Sequence, residues 1–334
     1  MKANIISRGW LFAAGMMALI VLTACETQFY DEEQYRKEIY IVSGDDNIFG
    51  QEYSYGQESV GYLSIYAGGT TAIDTDVEVE LELYPEALRT YNQRIFGENY
   101  ADYARMLEPE DYTIESMKVT LSKDNPDPYV QFPIKVNINN IEDDNAYYIP
   151  LRIKSVSNYM ISPTRRNVLF RIYKKNDYAT TKGNSYYTMN GLEQVFNEVD
   201  GEWVGDIPTA VNSTKPLVPI SEHSVRLMPN ALGATSSTVE RNNSIVVTVH
   251  PDQIIDIPVL NEGIPTGEYL KRQLVTVSPW AVSANSITVE GIADEPSYYD
   301  PDKQQFTLNY RYQQSGEKKW HKMNEVMIPL TVNN

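Results

Sequence analysis

The segment Val77-Glu78-Val79-Glu80-Leu81-Glu82-Leu83 decides the fold class. Aliphatic residues alternate with glutamates along it, so one face of an extended chain is apolar and the other is acidic. This period of two predicts a β-strand within residues 76–84 that is buried on one face only. The same pattern recurs in weaker form along most of the chain.

On both sides of this strand, short apolar runs are separated by turn residues. Residues 85–107 lose the alternation, and Pro85 can open a helical turn there. The runs predict six further strands, at residues 38–43, 61–66, 112–121, 129–138, 147–154 and 167–173. Seven short strands with one helical excursion predict an immunoglobulin-like β-sandwich over residues 38–176.

The polar stretch Lys174-Lys175-Asn176-Asp177 interrupts this pattern and places a domain boundary near residue 176. Two domains also suit a chain of this length. Nine short runs follow, and they predict strands at residues 186–189, 195–204, 225–228, 244–250, 254–259, 270–278, 286–292, 305–313 and 325–332. The last two are predicted to pair as a hairpin. Residues 177–334 are therefore predicted to form an antiparallel β-barrel or a second sandwich.

The N-terminus has the layout of a lipoprotein signal peptide. Lys2 and Arg8 precede an apolar stretch that ends in Leu22-Thr23-Ala24-Cys25, and this stretch is shorter than the roughly 20 apolar residues of a transmembrane helix. We therefore expect residues 1–24 to be removed and Cys25, the only cysteine in the chain, to carry a lipid anchor. Residues 25–37 are interpreted as an acidic tether that holds the body outside a bacterial membrane.

The charge balance excludes one class of partner. The chain has 45 acidic and 28 basic residues, a formal net charge of −17. Nucleic-acid binding requires clustered cations that displace counterions, so we expect no nucleic-acid partner. Attraction to anionic lipid head groups is disfavoured for the same reason.

The sequence contains none of the strong catalytic motifs: no Gly-x-Ser-x-Gly elbow, no His-Glu-x-x-His and no phosphate-binding glycine loop. Its histidines, His223, His250 and His321, are scattered without zinc-ligand spacing, and each is interpreted as a surface or strand residue. We expect no enzyme activity, no catalytic residue, no cofactor and no metal ion.

Acidic residues near turns leave two alternatives open. Paired carboxylates can hydrolyse glycosidic bonds, and the pairs here are Asp45/Asp46, Asp143/Asp144 and Asp294/Glu295. Calcium could use the oxygens of Asp74-x-Asp76 or of the loop 124–127, although neither continues as an EF-hand.

Aromatic residues are the remaining candidates for binding. Indole and phenol rings can stack on the apolar face of a sugar while carboxylates and amides hold its hydroxyl groups. The alternative for each ring is core packing. The candidate glycan-binding residues are Trp203, Trp280, Trp320, Tyr298 and Tyr299.

Several motifs of the N-terminal half resemble a known family. They are Tyr91-Asn92, Tyr100-x-x-Tyr103, Met106-Leu107-Glu108-Pro109-Glu110-Asp111-Tyr112 and Tyr148-Ile149-Pro150-Leu151-Arg152-Ile153. This set is similar to the N-terminal immunoglobulin-like domain of Bacteroidetes surface lipoproteins and of some surface endo-β-N-acetylglucosaminidases.

The C-terminal half carries the more specific resemblance. The segment Tyr298-Tyr299-Asp300-Pro301, followed by Phe306-Thr307-Leu308-Asn309-Tyr310-Arg311-Tyr312, resembles the ending of an uncharacterised lipocalin-like domain of the same lipoproteins. Such proteins accompany outer-membrane oligosaccharide importers in glycan-utilisation systems. The resemblance implies a non-catalytic glycan-binding lipoprotein of the outer membrane, facing the cell exterior, with a glycan ligand and an importer complex as partners. A structural or adhesive surface protein without sugar affinity is the alternative.

Overall fold

The computed structural model describes Glu33 and residues 35–141 and 145–330. These residues form two sheets in the N-terminal region and one large antiparallel sheet in the C-terminal region. The prediction of an all-β protein is therefore confirmed at the level of fold class. The predicted signal peptide, Cys25 and most of the predicted acidic tether lie outside the described residues.

The N-terminal region contains eleven strands and one α-helix among its described residues. Three short 3₁₀ turns, Asp45–Asn47, Tyr100–Asp102 and Pro109–Asp111, connect them. The elements are β1 (Glu38–Ile41), β2 (Ile48–Ser54), β3 (Ser59–Gly68), β4 (Val77–Leu83), α1 (Pro85–Phe96), β5 (Arg105–Met106), β6 (Tyr112–Thr113), β7 (Lys118–Leu121), β8 (Tyr129–Val136), β9 (Tyr147–Val156), β10 (Met160–Ile161) and β11 (Asn167–Lys175).

Strand β4 behaves as its alternation predicts. Val77, Val79 and Leu81 are buried, whereas Leu83 at the strand end is partly exposed. The intervening glutamates face outward and pair with cations on neighbouring strands: Glu78 with Lys118, Glu80 with Lys154 and Glu82 with Arg152. A shift of one residue would move the apolar side chains to the solvent-exposed face, so this pattern of burial fixes the register of the strand.

The N-terminal strands form two sheets around one core. The first has the order β10-β1-β3-β8-β6, and the second has the order β2-β11-β9-β4-β7, with β5 added to β9. Apolar side chains from both sheets meet in a single buried cluster, for example Ile39 and Ile65 from the first sheet and Ile149 and Phe170 from the second. This cluster supplies most of the hydrophobic stabilisation of the region.

The helical excursion predicted at Pro85 is the helix α1. Proline fits the first turn of a helix because its missing N–H would have no partner there. The helix ends at Gly97, whose φ of 58° lies in the left-handed region that glycine tolerates best. Leu88 on its inner face packs with Tyr148 and Leu169, so α1 covers the outside of the second sheet.

The described residues of the C-terminal region form ten strands and one short helix. They are β12 (Ser185–Val199), β13 (Glu202–Gly205), β14 (Thr209–Pro219), β15 (Ser224–Leu227), α2 (Ser237–Asn243), β16 (Ile245–Asn261), β17 (Ile264–Pro279), β18 (Thr288–Gly291), β19 (Ser297–Asp300), β20 (Gln305–Gln313) and β21 (Lys319–Pro329). The predicted C-terminal hairpin is confirmed, because β20 and β21 pair antiparallel.

Eight of these strands close into a ring, called here the C-terminal ring. Its order is β12-β14-β15-β16-β17-β19-β20-β21, and β21 pairs again with β12. Each of these eight strands therefore pairs with a neighbour on both sides. Apolar side chains fill the interior, including Met189, Leu217, Val247, Leu308 and Met327.

Residues 176–184 connect the two regions and are held to both. The Asn176 side chain donates to the backbone oxygens of Ser221 and Ser224 at 2.8 and 3.0 Å. Tyr178 inserts into the ring core, where its ring meets that of Phe306 edge-on at 5.6 Å. Within the described part of the chain, none of the helices has the length and hydropathy needed to cross a bilayer.

Candidate functional site

A cleft of about 480 Å³ lies between the N-terminal sheets and the C-terminal ring. Its volume is within the range of small-ligand pockets. Both walls are rich in polar groups, and one aromatic ring faces the space between them. The lining residues are Ala101, Asp102, Arg105, Asn145 and Ala146 on the N-terminal wall and Ser237, Thr238, Glu240, Arg241 and Trp280 on the C-terminal wall.

Trp280 is the aromatic residue of this cleft. It directly follows β17, and its backbone N–H donates to the oxygen of Ser244 at 3.0 Å, which fixes it beside the start of β16. The side chain is half-buried. An indole held in this way can stack on the C–H face of a sugar and donate its ring N–H to a hydroxyl group.

Helix α2 carries most of the C-terminal wall, and a buried arginine holds it in place. The Arg226 guanidinium lies 2.7 Å from Glu240 Oε1 and 3.1 Å from Ser244 Oγ. Ser236 caps the helix by accepting from the N–H of Val239 at 3.2 Å. The short helix is therefore fixed at both ends beside Trp280.

The cleft offers charged groups that have no charged partner. Among the described residues, no carboxylate lies within ion-pairing distance of Arg241 and no cation pairs with Asp102, which accepts from Asn99 Nδ2 at 2.5 Å. A guanidinium and a carboxylate on opposite walls supply the donors and acceptors that neighbouring sugar hydroxyls require.

The N-terminal wall depends on a buried asparagine of α1. Asn92 Nδ2 donates to the oxygen of Ala104 at 2.8 Å, and the N–H of Ala104 donates to Asn92 Oδ1 at 3.0 Å. The N–H of Arg105 then donates to the oxygen of Ala146 at 2.8 Å. These bonds position the loop that carries Asp102 and Arg105.

The structure brings the other predicted aromatic residues to different places. Trp203 on β13 is 47% exposed, and Trp320 on β21 is half-buried with the Arg311 guanidinium 4.7 Å from its ring centre. Neither residue lines the cleft. Tyr298 is half-buried on β19, where it pairs with Leu274 of β17, and it does not line the cleft either.

Tyr299 is a core residue, which corrects its prediction as a glycan contact. It is only 6% exposed, and its ring packs against Phe306 and Tyr178 at 4.7 and 5.1 Å. Burial raises the pKa of its hydroxyl to about 12. The ring therefore has no free face for a sugar.

The three histidines occupy strands or the turns beside them. His321 on β21 lies inside the ring between two carboxylates, with Nδ1 2.7 Å from Glu193 Oε1 and Nε2 3.2 Å from Glu317 Oε2. His223 and His250 line a second cleft of about 560 Å³ between the two regions. That cleft has no exposed indole, so it lacks the stacking surface of the first.

Four of the carboxylates considered for hydrolysis or calcium make local contacts. Asp46 pairs with Arg94, and Glu295 pairs with Lys322, which lowers the pKa of the Glu295 carboxyl group. Asp74 accepts from the Tyr159 hydroxyl and Asp76 from a backbone N–H. The pair Asp143/Asp144 lies outside the described residues. Within the described ranges, no group of three His, Cys, Asp or Glu side chains is placed to hold a metal ion.

Two family models match the chain in tandem. One, described as an N-terminal domain, matches residues 35–160, and the other, described as a C-terminal region, matches residues 166–328. Together they cover nearly all of the sheet-forming residues. No curated protein sequence matches the chain.

Solved structures from Bacteroides share the fold over most of both chains. An auxiliary nutrient binding protein from Bacteroides thetaiotaomicron gives a TM-score of 0.56 at 14% identity, covering 86% of this chain and 92% of that chain. A protein of unknown function from Bacteroides ovatus gives 0.55 at 12% identity, covering 88% and 92%. A multidomain protein from the same species gives 0.54 at 14% identity, covering 89% and 95%.

Proposed function

We propose that the chain is a non-catalytic glycan-binding protein of the bacterial cell surface. The premise is that it belongs to the two domain families that match it in tandem. The observation that carries this proposal is the cleft that Trp280 lines together with Arg241 and Asp102. An aromatic platform beside a guanidinium and a carboxylate that have no charged partner is complementary to a sugar, which has apolar C–H faces and a rim of hydroxyls.

The fold supports a finer description of both regions. We infer that the two facing N-terminal sheets form an immunoglobulin-like sandwich, because they enclose one core between them. We infer that the C-terminal ring is a lipocalin-like barrel, because eight antiparallel strands follow one another around it in chain order. The candidate cleft lies outside the ring interior, beside α2 and Trp280, since the interior is filled with side chains.

Two observations support binding without catalysis. The Glu240 carboxylate in the cleft accepts a hydrogen bond from the Arg226 guanidinium at 2.7 Å, so it already serves a structural contact that holds α2. The similar structure from Bacteroides thetaiotaomicron is described as an auxiliary nutrient binding protein. A binding role for this chain extends that description to its own cleft.

The test is a binding panel with matched variants. Calorimetry and affinity gel electrophoresis against glycans, including mannans and N-glycans, are expected to show binding that Trp280→Ala weakens about three- to tenfold, the loss expected for one stacking contact. Val282→Ala serves as the control, because Val282 is 93% exposed two residues further on and does not line the cleft.

The same panel separates the alternative. A structural or adhesive protein would bind none of the glycans and would instead co-purify with an outer-membrane protein. Binding that Trp280→Ala leaves unchanged would place the sugar elsewhere. Hydrolysis of any glycan in the panel would contradict the non-catalytic role.

We also propose that Cys25 anchors the protein to the outer membrane, facing the exterior, where it would hand oligosaccharides to an importer complex. The support is the signal-peptide pattern before Cys25 and the acidic tether after it. Cys25→Ser is expected to move the protein from the detergent-extracted membrane fraction to the soluble fraction. Retention of the variant in membranes would contradict the anchor, and protease treatment of intact cells would test its outward orientation.

A further inference from the structure

The outer face of three neighbouring strands carries a row of aromatic rings. On β12, Phe196 pairs with Trp320 of β21 on one side and with Gly205 of β13 on the other. Trp203 lies two residues before Gly205 and so projects from the same face of the sheet. The row therefore runs from Trp203 through Phe196 to Trp320, across two strand spacings or about 10 Å.

The alternation of side chains shows that this face points away from the ring interior. His321, next to Trp320, contacts Glu193 inside the ring at 2.7 Å. Steric crowding explains the glycine at position 205, because a Cβ there would come within 2.8 Å of Phe196 Cε1. The missing side chain lets the Phe196 ring lie close to the backbone of β13.

The far end of the row is fixed by a charged pair. The Arg311 guanidinium lies 4.7 Å from the Trp320 ring centre, and Glu290 holds that guanidinium at 2.8 and 2.5 Å. A ring that is fixed before binding loses little conformational freedom when a ligand stacks beside it. The row is thus preorganised at Trp320, while Trp203 presents the most exposed ring.

This face lies on the side of the ring opposite the cleft. In the ring order, Trp280 follows β17 and packs beside β16, which are the fourth and fifth strands. The aromatic row lies on β12 and β21, the first and eighth strands, together with the added strand β13. The wall that contacts the N-terminal region is therefore not the wall that carries the row.

We infer that the face formed by Phe196, Trp203 and Trp320 is a second glycan-binding surface, separate from the Trp280 cleft, which takes a polymeric chain. The aromatic rings supply stacking for C–H faces, and the amide of Gln194 and the charged groups of Arg311 and Glu290 supply hydrogen bonds. A protein partner is the alternative occupant, because protein interfaces are also enriched in tryptophan, phenylalanine and arginine, and the assay below separates the two.

Affinity gels that contain soluble mannan, xylan or β-glucan test this surface. With at least one of these polymers, Trp203→Ala is expected to weaken retardation about three- to tenfold, whereas Trp203→Phe retains most of it. Val204→Ala is the matched control, since Val204 is 51% exposed on the same strand but on its other face. The double variant Trp203→Ala, Trp280→Ala is expected to lose more than either single variant.

The outcomes separate this inference from the proposed cleft. The proposal of a second surface would be overturned if Trp203→Ala were retarded as strongly as the unchanged protein. It would also be overturned if Val204→Ala lost as much retardation as Trp203→Ala. If short oligosaccharides bind in calorimetry but no polymer retards the protein, the proposed cleft is supported and the second surface is ruled out. If Trp203→Ala abolished co-purification of a protein without affecting any glycan, the face would be a protein interface. Absence of binding in both assays would remove both sites.

Discussion

The Lys215 Nζ atom lies 2.6 Å from Glu325 Oε2 inside the C-terminal ring, and both side chains are almost fully buried. The Tyr310 hydroxyl donates to the other carboxylate oxygen at 3.1 Å. Burial lowers the pKa of Lys215, and the Glu325 charge opposes that shift. Because β14 and β21 are the two neighbours of β12 in the ring, this pair joins strands on both sides of β12.

Glu325→Leu is expected to lower the free energy of unfolding by about 3 kcal/mol, because the Lys215 ammonium would remain buried without a counter-charge. Urea denaturation measures this loss. The double variant Lys215→Met, Glu325→Leu is expected to recover most of it, since an apolar pair of similar volume removes both charges. A double variant less stable than Glu325→Leu would contradict this account.

Gly191 on β12 makes room for the pair. A Cβ at this position would lie 2.8 Å from the backbone oxygen of Asn324 and 3.0 Å from Glu325 Cβ. Gly191→Ala is therefore expected to destabilise the ring by about 1–3 kcal/mol in urea denaturation. Gly291→Ala is the control, because a Cβ there meets no atom within 4 Å. Similar losses in both variants would show that crowding at Gly191 is not the cause.

The strands that are predicted well from the sequence are those in which apolar and polar residues alternate within the strand itself. Residues 305–313 were predicted as a strand from their own pattern, and β20 has the same bounds. Strand β14 (Thr209–Pro219) was missed because its inward positions include the charged Lys215, which is compatible with burial only beside Glu325. That partner lies 110 residues away, and no local period shows it.

The binding cleft is less predictable from sequence than the strands. Trp280 was a candidate because a tryptophan near a turn in an acidic protein suits sugar stacking. Arg241 and Asp102 carried no such signal, since exposed charged residues are common on short helices and loops. They become site residues only because the N-terminal loop is packed against α2, and this packing between two regions has no signature in either one.

Acid is expected to weaken the ion pair between Glu295 and Lys322, whose charged atoms lie 2.6 Å apart. Lys322 lowers the Glu295 pKa from its usual 4.5, so the contribution to stability is present above pH 4.5 and is lost as the pH falls through the lower folded-state pKa. Glu295→Gln should cost under about 1 kcal/mol at neutral pH, because the pair is partly exposed.

The measurement is urea denaturation of both proteins at neutral pH and at several pH values below 4.5. The difference between Glu295→Gln and the unchanged protein is expected to shrink on acidification. Asn324, which also donates to Glu295 at 2.9 Å, is present in both proteins. A difference that stays constant or grows at low pH would contradict the assignment to this carboxylate.

Asn92 is expected to act as a positioning residue for the cleft. Asn92→Ala leaves the buried N–H and C=O of Ala104 without their partners, which should lower the free energy of unfolding by about 2 kcal/mol. The loop carrying Asp102 and Arg105 would lose its attachment to α1, so glycan affinity measured by calorimetry should fall as well. Gln93→Ala, on the exposed side of the same helix, should change neither quantity. A loss of stability in Asn92→Ala with unchanged glycan affinity would show that this wall of the cleft does not contact the ligand.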